Sequence, residues 1–256
     1  MSDRLVGVVD QIIAILGQLA PDEADLAMIA VRLKMLELSK NLQQPRAYGR
    51  AELLALADKQ INGLSLSLRR LAIGGLVTNE QVATVLGLLE SKRDAAVTKI
   101  AGVSIAGLNL ALLPVISKSF WNASTQMAIF DDGNHQGLNR LDDDIILDLC
   151  HPSNDAAYWC IDVEAHSPKY MSLPELEEVI QNMLNRYCLT VTETTALGYY
   201  SQLALHNQVC AAGSQLRNSN RAIILSRDDS DTFILDSADL KDCGANWYVI
   251  SCADRL

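Results

Sequence analysis

Eighteen residues without a charge, Ile100 to Ser117, run between Lys99 and Lys118. So apolar a segment must be enclosed by protein or by lipid, and what covers it constrains the rest of the chain. It continues a helical pattern that starts at Thr78-Asn-Glu-Gln81, a capping box with Thr78 as N-cap. Read as one helix from Asn79 to Ser117, the pattern would be about 58 Å long. The uncharged part alone would span about 27 Å, close to the roughly 30 Å hydrocarbon core of a bilayer. Lysines bracket it, and Phe120 and Trp121 follow where interfacial aromatics sit. A central helix of a bundle, surrounded on all sides, has the same pattern. Gly102, Gly107 and Pro114 are where so long a helix would break.

The chain before this stretch reads as helix. Leu5, Val8, Ile12, Leu16 and Leu19 make one apolar face over residues 3–19. Pro21, followed by Asp22, Glu23 and Asp25, starts a second helix that stops before Pro45. Leu53, Ala57, Ile61, Leu64, Leu68 and Leu71 mark a third over 50–73, ended by Gly74-Gly75. Short connections favour antiparallel neighbours.

After Trp121 the chemistry changes. Residues 1–120 hold 13 basic and 11 acidic side chains, residues 121–256 hold 8 and 20, so a net of +2 gives way to −12. All six cysteines lie in the second part. Strands are expected over 145–149, 158–165, 189–193, 221–227, 232–235 and 247–252, with helices after Ser172-Leu-Pro-Glu175 and over 196–212. The expected fold is therefore α+β in two domains. An antiparallel bundle of about four helices (1–122) leads through a linker (123–139) to a mixed, mostly antiparallel α+β domain (140–256).

The acidic second part argues against nucleic acid as a partner. No secretory leader is visible, which predicts a cytoplasmic protein or export by a leaderless route. Six cysteines in one domain are compatible with disulfides or with buried thiols. Chemical constellations are sparse. His206 and Cys210 are spaced i, i+4 for one helix face, and Cys150 abuts His151, so Cys210 and Cys150 are the thiol candidates and His206 the base. Asp132, Asn134, Gln136 and Gly137, with Asp143 at the twelfth position, loosely imitate a calcium loop, but Gln and the terminal Asp suit it poorly. Neither a cofactor nor a metal is expected.

The leading functional expectation is a membrane-active, toxin-like or effector protein. Its helix 100–117 is buried in the soluble form and inserts into a bilayer through Ile100, Val103, Ile105, Leu108, Leu110, Leu112 and Leu113, with Phe120 and Trp121 at the interface. The alternatives are a non-enzymatic protein that assembles through its bundle, as a homo-oligomer or with a protein partner, and a cysteine-dependent enzyme in the second domain.

Overall fold

The structure, a computed structural model, describes residues 46–105, 110–130, 137–149, 155–166, 173–201, 207–228, 230, 232–239 and 247–256. The chain divides into two compact units, Met1–Gln44 and Pro45–Leu256. The helices expected over 3–19 and 21–42 lie outside the described residues. The units part at Gln44/Pro45 and not over 123–139, where the sequence predicts a linker. Net charge belongs to exposed faces, whereas unit boundaries follow the apolar faces that must cover one another.

The first described strand is β1 (Arg46–Ala47). Helix α1 (Arg50–Ile73) buries the predicted stripe. It closes in a Schellman turn: Gly75 has φ +75°, its N–H donates to Ala72 O at 3.1 Å, and the Leu76 N–H donates to Leu71 O at 3.0 Å. Helix α2 (Asn79–Ile100) opens on the predicted capping box, with Thr78 N donating to Gln81 Oε1 and Gln81 N to Thr78 Oγ1.

Beyond Ile100, the described residues of the uncharged stretch are not helical. Helix α2 stops at Ile100, and Gly102 takes φ +81°. Strand β2 (Ser104–Ile105) pairs with β1, and Leu110–Ile116 forms strand β3. Pro114 explains the choice. It would break a helix, but an edge strand tolerates proline where the nitrogen faces away from the ladder. Strand β3 is such an edge, and it is capped: Gln60 Nε2 donates to Leu112 O at 2.9 Å and Gln126 Nε2 to Ile116 O at 3.0 Å. Alternate residues present their backbone polar groups to the same side, so the Pro114 nitrogen faces that same open edge. Of the residues expected against lipid, Ile100, Ile105, Leu112, Leu113 and Trp121 are buried. Leu110 and Phe120 are half-buried, Val103 is exposed, and Leu108 lies outside the described residues. Among the described residues no helix is long and apolar enough to cross a membrane.

Helix α3 (Ala123–Met127) follows, then strands β4 (Gly137–Asn139), β5 (Ile146–Asp148) and β6 (Ala157–His166). Helix α4 (Leu173–Glu178) runs on into a π-helical turn, Val179–Met183, and leads to β7 (Tyr187–Cys188) and helix α5 (Val191–Tyr200). The chain continues as β8 (Gln208–Cys210), β9 (Ser214–Leu216), β10 (Arg221–Arg227), β11 (Phe233–Asp239) and β12 (Trp247–Arg255). The main sheet has the order β3-β6-β12-β8-β10-β11-β4, with β7 added to β12. Among the described strands only β12–β8 and β11–β4 pair in parallel, so the sheet is mixed and mostly antiparallel, as expected.

Strand β6 shows why both sheet faces are covered. Ala157, Trp159 and Ile161 pack into the core built by α1 and α2, whereas Tyr158, Cys160 and Val163 join the core on the other face. Asp162 takes φ +52° between Ile161 and Val163, while the register of β6 with β3 and with β12 runs unshifted across it. Two further expectations fail nearby. Residues 189–193 are not a strand and 196–212 are not one helix: α5 begins at Val191, and Gln208–Cys210 is a strand. The sequence Thr190-Val-Thr-Glu193 is a capping box, and it overrides the strand preference of its β-branched residues.

Candidate functional site

The start of α5 carries the most concentrated buried chemistry among the described residues. Glu193 is fully buried and reaches back to its N-cap, with Thr190 N donating to Oε2 at 2.7 Å. Arg255, at the end of β12, grips the same carboxylate with Nε to Oε1 at 2.5 Å and Nη2 to Oε2 at 2.9 Å. Tyr158 Oη donates to Oε1 at 3.0 Å, and the Cys160 thiol donates to it at 3.2 Å. Burial would raise the Glu193 carboxyl, but the Arg255 guanidinium and the other donors hold it below its ordinary value. Cys160 and Tyr158 are pushed well up, first by burial. Ser214 completes the helix start by accepting from Val191 N at 2.9 Å and donating to Asp148.

This arrangement ties the start of α5 to β6 and β12. Cys160, Glu193 and Cys252 place their ligand atoms within 4.8 Å of one another. A cation there would compete with five donor atoms already aimed at Glu193, two of them from the Arg255 guanidinium, so the residues do not fit a metal. The Cys160 thiol is raised, the opposite of what a nucleophile needs.

The other predicted site residues are not brought together. Cys210 is buried in β8, so its i, i+4 spacing from His206 has no helical meaning. His206, Cys150, Asp132 and Asn134 lie outside the described residues. The Asp143 carboxylate is committed as a cap for α3: it accepts from Ala123 N at 3.1 Å and from Ser124 Oγ at 2.7 Å, and also from Asn139 Nδ2 at 3.3 Å. Cys160, Cys188, Cys210 and Cys252 are free thiols, all buried, so the four described cysteines form no disulfide.

An open cleft lies beside this buried centre. It measures about 200 Å³ and is lined by Leu149, Gln181, Asn185, Arg186, Tyr187, Cys188 and Gly213. The π-helical turn builds one wall, with Leu184 N donating to Val179 O at 3.1 Å. Such turns inside helices often mark functional sites. Asn185 ends it at φ +51°, a conformation that asparagine tolerates. Arg186 then turns inward. Its Nη1 donates to Asp162 Oδ2 and its Nε to Ser251 Oγ, both at 2.8 Å, and Ser251 Oγ also meets His166 Nε2 at 2.8 Å. Burial lowers the His166 pKa. The opposite wall needs a glycine: a Cβ on Gly213 would sit 2.4 Å from Cys188 O.

Arg255 links the buried centre to two residues that line the cleft. Its Nη2 also donates to Cys188 O at 3.1 Å, and its Cζ lies 5.1 Å from the Tyr187 ring centroid, a cation–π distance. Two of the lining side chains are large, apolar and open to solvent, Leu149 at 52% and Tyr187 at 49% exposure. Glu177 stands one helical turn before Gln181, and burial pushes its carboxyl up to about 7.

Sequence reasoning singled out neither Arg186 and Tyr187 nor Glu193 and Arg255. For Glu193 the signal existed in the T-x-x-E pattern; for the cleft residues it is their exposure, which only the fold reveals. A shared ancestry does not supply the missing role, since no family model, curated protein or solved structure matches the chain.

Proposed function

We propose that the protein works by binding and not by covalent catalysis, and that the cleft takes an apolar side chain presented by a peptide segment of a protein partner. One observation carries this reading: two large apolar side chains, Leu149 and Tyr187, stand half exposed in the lining of one cleft. Exposed apolar groups gathered at a concave site mark a binding surface, whereas scattered ones do not. The volume suits a side chain more than a single water, whose share of liquid is about 30 Å³. The exposed amides of Gln181 and Asn185 offer donors and acceptors for the backbone of such a segment. This takes up the alternative expected from sequence, a non-enzymatic interaction role, and moves it from the helical bundle to the sheet's β7 side.

The test is selection of a random peptide library on the full chain. Peptides with a recurrent large apolar residue should be enriched, and Leu149→Asp should abolish their binding. No enrichment, or equal binding to the variant, would refute the reading.

A further inference from the structure

The turn joining α1 to α2 has a surface of a different kind. From Asn62 to Asn79 the chain carries two charges only, Arg69 and Arg70, in a protein whose net charge is −10. Both arginines are exposed, and Arg70 Nη2 donates to Ser67 Oγ at 2.9 Å. Around them stand Leu66 at 67%, Ile73 at 89% and Leu76 at 62% exposure. Leu66, Arg69, Arg70 and Ile73 follow the spacing of one helix face, and Leu76 sits in the Schellman turn that ends the helix. A Cβ added at Gly75 would meet nothing within 4 Å, so the turn projects into open space.

We infer that this hairpin tip docks on an anionic lipid surface, with Ile73, Leu76 and Leu66 entering the interface and Arg69 and Arg70 reaching the headgroups. Two features select a bilayer over a protein. The tip projects into open space at Gly75, and a bilayer accepts a projecting apolar point flanked by cations. The three side chains expose on the order of 400 Å², half of what one partner contributes to a standard protein interface. The contact is peripheral, made by side chains at one helix end, and differs from insertion of residues 100–117.

Co-sedimentation of the full chain with vesicles tests it, comparing phosphatidylcholine alone with phosphatidylcholine containing about 30% phosphatidylserine, a surface that attracts basic side chains. Binding should favour the anionic vesicles. Arg69→Gln and Arg70→Gln should each weaken it about fivefold, and the pair Ile73→Glu with Leu76→Glu should abolish it while unfolding midpoints stay unchanged. Equal binding to both vesicle types, or full binding by the Ile73→Glu/Leu76→Glu protein, would overturn the inference. So would concentration-dependent self-association lost in that variant without vesicle binding, which would assign the tip to a second copy.

Discussion

Glu193→Gln keeps the shape of the buried centre and removes its charge. The substitution replaces one acceptor oxygen with a donor facing either Thr190 N or the Arg255 guanidinium, both of which donate to Glu193. Arg255, whose side chain is 9% exposed, then keeps its charge without its buried partner. Breaking a buried pair in this way costs about 3–5 kcal/mol. For a chain of this size that lowers Tm by roughly 10 °C. Urea unfolding followed by circular dichroism at pH 7 measures it, with an unchanged m-value showing that the same structure unfolds. The pair Glu193→Met with Arg255→Met should cost less than Arg255→Met alone, because no uncompensated charge remains. The pH dependence has a definite sign. The folded carboxyl is depressed, so its contribution is present above the unfolded value and is lost as pH falls through the lower folded one. The gap between wild type and Glu193→Gln should therefore narrow in acid. A cost under about 1 kcal/mol at pH 7, or a double variant equal to the sum of the singles, would refute the reasoning.

Other consequences follow from single contacts. Gln126→Leu strips the buried Ile116 and Trp121 carbonyls of their donor and should cost about 1–3 kcal/mol, read as a lower urea midpoint. Gly213→Ala drives a Cβ against the Cys188 carbonyl and should both destabilise the fold and block selected peptides, measurable on one preparation by thermal unfolding and binding. Glu177 is raised to about 7, so the folded chain binds more protons than the unfolded one between the two values, and its contribution to stability falls as pH rises through that window. Midpoints at pH 5 and pH 7.5 should differ less in Glu177→Gln than in wild type.

How far the sequence spoke depended on whether local signals agreed. In α1 the apolar spacing and Gly74-Gly75 pointed the same way, and the helix has the predicted bounds. At Thr78 the capping box formed as its letters imply. Over 110–116 an unbroken apolar run fitted a buried helix and a buried strand equally well, and Pro114 decided it only once the sheet supplied an open edge. At 190–193 β-branched residues favoured a strand while the capping box favoured a helix, and tertiary anchoring by Arg255, 62 residues away, settled the matter. The cleft was illegible because it has no motif. Leu149, Tyr187 and Gly213 meet through the pairing of β7 with β12 and the bond from Leu149 N to Gly213 O. The shift in charge at residue 121 was real, but it describes surfaces and does not mark where packing ends.

A peptide enriched on the full chain, labelled with a fluorophore and titrated by anisotropy against three proteins, tests the central claim most directly. Wild type and Leu138→Asp, a control at a similarly exposed leucine on the terminal strand β4, should bind alike. Leu149→Asp should bind at least about tenfold more weakly, a loss in line with burying a charge where a leucine was covered. Equal affinity for Leu149→Asp and wild type would contradict the assignment of binding to this cleft.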